Sequence, residues 1–206
     1  MLQIDDIDSD WVFAYGSLIW SPGIDYAEKR VAKLHGYHRS FCINSTRYRG
    51  TFASPGAVLG LDKGGSCIGV AYRFTKERRK EALVELFKRE IPEPERAVYR
   101  AAMVQVALGP ACEKGIGHPS DCAAKAALVT QEQAKVSALT FLADRSLPSY
   151  IRLDINGLVA RLAKCIGERG RNYDYAINTW KSLREMGFED RRLNQVVSKL
   201  LAQEPA

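Results

Sequence analysis

No run in this 206-residue chain approaches the roughly 20 consecutive apolar positions that a membrane helix needs. The opening MLQIDDIDSD is acidic and lacks the basic stretch and apolar core of a secretory leader. A cytoplasmic protein with no membrane partner is therefore expected. Histidine is scarce: His35, His38 and His118 show no ligand-like spacing, and no CxxC occurs, so no metal is expected. The five cysteines (Cys42, Cys67, Cys112, Cys122, Cys165) are odd in number and scattered, which fits reduced thiols rather than a disulfide framework. Cys112 and Cys122, in a Gly/Pro-rich segment, are the one pair placed for pairing or sensing. GxSxG is missing, which removes an esterase elbow. GxxxxGK[ST] and GxGxxG are missing too, which removes the usual phosphate loops and leaves no cofactor to expect. No histidine is placed to activate a catalytic cysteine.

Strong charge of one sign is also absent. The net charge of +6 is mild, and the densest basic cluster, Lys76, Arg78, Arg79 and Lys80, is interleaved with Glu77, Glu81 and Glu85 as on a solvated helix face. Basic residues do not alternate with exposed aromatics, so a nucleic-acid partner is not expected. A small anionic substrate suits the charge.

Present instead are 46% hydrophobic and 26% charged residues, ordinary for a globular chain. One domain over residues 1–206 is expected. Short β-type runs fill the first half: Trp11–Tyr15, Lys33–Asn44, Ala57–Leu61, Cys67–Phe74 and Val98–Leu108, punctuated by Gly and Pro. A helix from Lys76 to about Glu90 lies between the last two, stopped by Pro92. Residues 109–127 have no clear periodicity and read as a loop or insertion. Val136–Ala143 reads as a further strand. Residues 154–202 read as three helices, marked by Ile155, Leu158, Val159, Leu162 and Ile166, then Ala176, Trp180 and Leu183, then Leu193, Val196, Val197, Leu200 and Leu201. Strands early and helices late predict an α+β fold, a curled or barrel-like antiparallel sheet with flanking helices.

Two places carry possible chemistry. The apolar stripe Leu83, Leu86, Phe87 reaches position 90 next, and there the chain has Glu90. A carboxylate on an apolar face, at a helix C-terminus whose dipole disfavours negative charge, has its pKa pushed up toward the range of a general acid/base. The alternative is a frayed helix end in which Glu90 pairs with Arg89 or Arg96. In FAYGSLIW (Phe13–Trp20) an apolar strand breaks at Gly16-Ser17 without a polar loop. A sharp turn there frees successive N–H groups for a carboxylate or an oxyanion. A plain strand end before Ser21-Pro22-Gly23 is the other reading. Ile19 and Trp20 are expected to pack beneath the turn.

The ordered set WVFAYGSLIWSPG (Trp11–Gly23), GYHRSFC (Gly36–Cys42), RGT (Arg49–Thr51), PGAVLGL (Pro55–Leu61), GVAYR (Gly69–Arg73), LFKRE (Leu86–Glu90), GRNYDY (Gly170–Tyr175) and GFEDRRLNQV (Gly187–Val196) resembles the ChaC-type γ-glutamylcyclotransferases, which act on glutathione. The resemblance implies a γ-glutamylcyclotransferase-like fold, a small mixed β-barrel with flanking helices. It implies that Tyr15, Gly16, Ser17 and Leu18 cradle the γ-glutamyl group, that Glu90 is the general acid/base, and that Tyr175 lines the same pocket. The implied reaction cleaves glutathione to 5-oxoproline and Cys-Gly, by attack of the γ-glutamyl α-amine on its own γ-carbonyl. Arg47-Tyr48 stands where some relatives carry Asp-His, IPEPERAVYR differs from the Gly-rich version of that segment, and the 109–127 insertion is longer than usual. Those departures bear on substrate detail. A non-catalytic regulator holding a γ-glutamyl ligand or a protein partner stays open beside the enzyme. So does a cyclotransferase for other γ-glutamyl amino acids or amines. A monomer and a dimer fit the sequence equally.

Overall fold

The computed structural model describes residues 2–91, 98–112 and 134–203. Five strands form a closed barrel: β1 (Trp11–Ala14), β2 (Glu28–Ser45), β3 (Gly56–Arg73), β4 (Tyr99–Cys112) and β5 (Lys135–Ala143), in the order β1-β3-β2-β4-β5. Neighbours are antiparallel except where the barrel closes. There β5 meets β1 at Val12–Leu139 and β3 at Leu61–Leu142, both parallel. The expected mixed barrel is present.

Long strands bend to close a barrel this small, and bulges supply the bend. The β2–β3 pairing shifts register between His35 and Tyr37 and between Phe41 and Ile43, and the β2–β4 pairing shifts between Arg30 and Ala32. The two strands expected at Ala57–Leu61 and Cys67–Phe74 are one, because Gly64 and Gly65, at φ +99° and +73°, bend the ribbon without ending it. Phe13, Leu59, Leu61, Tyr72, Leu139 and Phe141 are among the large side chains of the core, all essentially buried.

Helix α1 (Arg79–Glu90) buries Leu83 and Leu86 against the barrel, and Phe87 meets Phe141 edge-to-face at 5.8 Å. Three helices follow β5: α2 (Ile155–Lys164), α3 (Asn172–Glu185) and α4 (Arg191–Leu201). Asp154 caps α2 by accepting from Gly157 N–H at 2.6 Å, and Asp190 caps α4 by accepting from Arg192 and Leu193 N–H. Ile166 was expected on the first of these helices. It lies instead in a two-stranded hairpin, β6 (Ile166–Gly167) with β7 (Gly170–Arg171), and is exposed. The helix stops at Cys165, whose extended backbone releases the chain into that hairpin. The segment expected as a loop from residue 109 continues β4 to Cys112, paired with Lys29. Residues 113–127 of that segment lie outside the described residues, as does Cys122. No helix among the described residues is long and apolar enough to cross a membrane.

Strand β1 pairs only with residues 70–73 of β3, so the same edge of β3 at residues 57–59 has no strand beside it. Buried backbone groups there need other partners. Asn172, fully buried at the start of α3, accepts from Ala57 N–H at 2.7 Å and donates to Ala57 C=O at 2.8 Å. Tyr175 Oη accepts from Leu59 N–H at 3.2 Å, and Tyr99 Oη donates to Leu59 C=O at 2.9 Å. Side chains thus finish the ladder, and two of them, Tyr99 and Tyr175, face the cavity described next.

Candidate active site

A cavity of about 970 Å³ opens beside that edge. Its walls come from the turn after β1 (Ser17, Trp20, Ser21), from residues 43–52, from the end of α1 (Arg89, Glu90), and from the β6–β7 hairpin with Tyr99 and Tyr175.

Glu90 ends α1 in register with buried Leu83 and Leu86, so packing of that face carries the carboxyl into the cavity wall. The helix does not fray before it: Ile91 N–H donates to Phe87 C=O at 2.8 Å. Burial raises the Glu90 pKa, and the charges of Arg89 and Arg169 oppose the rise. Arg89 Nε is 3.1 Å from Glu90 Oε1, so the pairing expected as an alternative exists within the cavity itself. The rest of the Arg89 guanidinium braces the turn. Nη1 donates to Ser21 C=O at 2.6 Å and Pro22 C=O at 3.1 Å, and Nη2 donates to Ser17 Oγ at 3.0 Å.

The YGSL stretch becomes a single 3₁₀ turn over Ser17–Ile19. Its first N–H groups have no partner within the turn. Of the four residues, Ser17 lines the cavity. Tyr15 is buried and donates to Phe141 C=O at 2.7 Å, while buried Leu18 gives its carbonyl to Tyr72 Oη at 3.1 Å. Gly16 lies against the Tyr175 hydroxyl: a Cβ there would sit 3.1 Å from Oη. The turn is anchored by Arg39, whose Nε donates to Tyr15 C=O at 2.6 Å. Its Nη1 meets Asp190 Oδ2 and its Nη2 meets Ile68 C=O, both at 2.6 Å. Ile19 packs under the turn as expected, but Trp20 does not: half-buried in the cavity wall, it donates from Nε1 to Thr179 Oγ1 at 3.1 Å.

Burial lifts the Tyr175 phenol well above its ordinary value, with the nearby Glu90 charge adding to the effect, so it stays protonated. Its hydroxyl accepts one hydrogen bond from Leu59 and keeps a proton to donate. The structure therefore brings Glu90, Ser17 and Tyr175 to one cavity. Tyr15 and Leu18 are buried, and the Tyr15 phenol, lifted well above its ordinary value by burial, also feels the Glu90 and Tyr175 charges. Among the described residues, no three His, Cys, Asp or Glu side chains gather as metal ligands.

Residues unmarked in the sequence reading complete the site. Arg49, half-buried and with its pKa lowered by desolvation, lies over the rings of Tyr175 (5.5 Å) and Trp20 (6.0 Å). Arg169 comes from the hairpin, and Tyr99 from β4. RGT held Arg49 in plain view, but nothing about its spacing told a cavity arginine from a surface one. Arg169 carried no signal at all, since the hairpin that places it was read as helix.

A family model described as ChaC-like protein matches residues 10–203 of this chain. The glutathione-specific γ-glutamylcyclotransferase of Escherichia coli strain K12 is 32% identical over 197 residues, covering 94% of this chain and 74% of that protein. The γ-glutamylcyclotransferase 2-3 of Arabidopsis thaliana is 28% identical over 197 residues, covering 92% and 87%. A crystal structure of the yeast γ-glutamyl cyclotransferase specific to glutathione aligns with a TM-score of 0.77 at 21% identity, over 95% of this chain and 97% of that one. At that identity the likeness speaks to the fold, and it is the same barrel with flanking helices. A match over nearly the whole length, with the barrel and its cavity-wall carboxylate in place, puts this chain in the ChaC-like family.

Proposed function

We infer that this protein is a glutathione-specific γ-glutamylcyclotransferase, releasing 5-oxoproline and Cys-Gly in the cytoplasm. The observation that carries the reading is Glu90: a carboxyl in a cavity wall, with its pKa raised by burial, in a chain whose relatives are named for this activity. Cys42, Cys67 and Cys165 are free and buried, which fits a reducing compartment.

The reaction joins two ends of one flexible chain, so the enzyme must hold the γ-glutamyl unit curled with its amine against its carbonyl. The α-amine arrives as ammonium and cannot attack until it loses a proton. Glu90 takes that proton and the amine adds to the γ-carbonyl. Glu90-H protonates the departing nitrogen as its C–N bond breaks. The second proton, shed by the attacking nitrogen on becoming the lactam N–H, leaves with the released amine as its ammonium. Burial raises the Glu90 pKa, which makes the carboxylate a stronger base toward the ammonium while Glu90-H remains an acid for the departing amine. Ser17 and the first amides of the 3₁₀ turn contact the γ-glutamyl unit, with Gly16 keeping the turn close to Tyr175. The Tyr175 proton and the Arg49 cation are the donors facing the negative charge of the substrate and of the tetrahedral intermediate.

The test is incubation of purified protein with glutathione, following 5-oxoproline and Cys-Gly by chromatography. Formation of both in equal amounts supports the reading. Glutathione left intact, or cleaved to free glutamate, refutes it.

A further inference from the structure

The outer wall of the cavity is built with more care than an exposed loop requires. The β6–β7 hairpin is pressed onto residues 47–49. A Cβ on Gly167 would come within 2.5–2.6 Å of the backbone there, and the N–H groups of Glu168 and Arg169 donate to the carbonyls of Arg47 (2.9 Å) and Tyr48 (3.0 Å). This seats the Arg169 guanidinium 3.9 Å from the centroid of the Tyr48 ring.

The neighbouring cations are already engaged. Arg47 Nε pairs with Glu168 Oε2 at 2.9 Å, Arg89 braces the turn, and Arg49 Nη1 donates to Arg171 C=O at 3.2 Å. Arg169 differs: among the described residues its guanidinium has no carboxylate partner and donates no hydrogen bond, although the stack and the backbone clamp hold it in place. A planar guanidinium fixed on an aromatic face is preorganised for a carboxylate, which it grips with two parallel N–H groups. Arg169 also acts on Glu90, since its charge is one of the two that oppose the raised carboxyl pKa.

Position selects which carboxylate. If the γ-glutamyl unit lies against Ser17 and Tyr175, Glu90 stands at the scissile amide and the leaving group extends toward the hairpin. We propose that Arg169, stacked on Tyr48 at the cavity mouth, binds the terminal carboxylate of the leaving group and makes the enzyme selective for γ-glutamyl compounds whose departing amine carries one. This rests on the cyclotransferase reading above. For glutathione that group is the glycine carboxylate.

The test is a cycle between enzyme and substrate. Wild type, Arg169→Ala and Arg169→Lys are each assayed for release of the cyclised product (5-oxoproline, or 5-oxoprolinamide where the α-carboxylate is an amide) from three substrates. These are glutathione, its glycinamide analogue (glycine carboxylate neutralised) and its analogue with the glutamyl α-carboxylate as an amide. Arg169→Ala is expected to lose about tenfold in kcat/KM on glutathione, mainly through KM. Wild type is expected to lose a similar factor on the glycinamide. The two losses should not compound, so the Ala variant on glycinamide matches wild type on glycinamide, while Lys recovers part of the loss on glutathione.

A variant that merely loosens the hairpin would slow all three substrates alike, and that result overturns the proposal. So does an Ala variant equal to wild type on glutathione. Loss of the Arg169 effect on the α-amide analogue, with the effect kept on glycinamide, also overturns it by placing the cation at the glutamyl end. Wild type releasing no cyclised product from any of the three refutes the cyclotransferase reading and takes this proposal with it. Release from all three with no difference between variants removes Arg169 alone.

Discussion

Arg39→Met removes the side chain that ties the YGSL turn to the rest of the molecule. Arg39 is about 3% exposed along its side chain and donates to three acceptors from three elements: Tyr15 C=O, Ile68 C=O and Asp190 Oδ2. Met keeps most of the aliphatic volume, so the change isolates the guanidinium. Two buried carbonyls then lose charged donors, at about 1–3 kcal/mol each. Asp190 loses its partner, but its side chain is 22% exposed and water can reach it. Against these losses stands the desolvation cost of burying a guanidinium, which the variant no longer bears. The net expectation is a destabilisation of about 3 kcal/mol. For a chain of this size about 2–4 °C accompanies each kcal/mol, so the melting temperature should fall by roughly 6–12 °C. Asp190→Asn is the companion. Its Oδ1 still caps α4 through Arg192 and Leu193, and only the contact with Arg39 changes, so a smaller loss of about 1–2 kcal/mol is expected. Urea unfolding and thermal melts measure both, and 5-oxoproline release below the transition measures the turn. An Arg39→Met protein that melts within about 2 °C of wild type would refute the ledger. Full activity in a strongly destabilised variant would show that the turn does not depend on its anchor.

Other substitutions address the site directly. Glu90→Gln keeps the shape and removes the proton carrier, so 5-oxoproline formation should fall by about 10²–10⁴-fold; turnover within threefold of wild type rules Glu90 out as the acid/base. The same variant has a pH signature in stability. Because folding raises this carboxyl pKa, its contribution to stability is fully present below the ordinary glutamate range and is lost as pH rises through the folded value. Glu90→Gln should therefore gain on wild type between acidic and neutral pH, and a difference in urea midpoint that stays constant across that window contradicts the assignment. Asn172→Ala leaves Ala57 N–H and C=O buried without partners and should cost about 2–5 kcal/mol by urea unfolding, with a loss under 1 kcal/mol counting against the edge-capping role. Gly16→Ala puts a methyl 3.1 Å from the Tyr175 hydroxyl, which Leu59 N–H holds in place, so activity should drop with a stability loss of about 1–3 kcal/mol. A fully active Gly16→Ala enzyme would mean that the Tyr175 hydroxyl moves at no cost.

What the sequence disclosed follows from which forces act locally. Glu90 was legible because a helix period is a local rule: three apolar positions on α1 determine where the fourth must point, and a carboxylate there stands out against them. The strands of β1, β2 and β5 were legible for the same reason, as were the apolar faces of the last two helices. The Gly64-Gly65 pair misled because glycine signals a change of backbone direction without saying whether pairing stops, and here the β2 partner carries the ladder through the bend. The hairpin after α2 was invisible for a different reason. Ile166 continues the apolar stripe of the helix before it, and what overrides that stripe is the extended backbone at Cys165 and the contact of Gly167 with residues 47–49, more than a hundred residues away in the chain. The same distance hid the division of labour inside YGSL. Nothing in four consecutive letters tells Ser17, in the cavity wall, from buried Tyr15 and Leu18. That difference is set by Arg39 pulling on Tyr15 C=O and by Tyr72 holding Leu18 C=O, bonds that exist only once the barrel has closed. The Glu90 carboxylate could thus be read from one helix, whereas the cavity around it is a property of the closed barrel, with its unpaired β3 edge and the side chains of α3 that complete it.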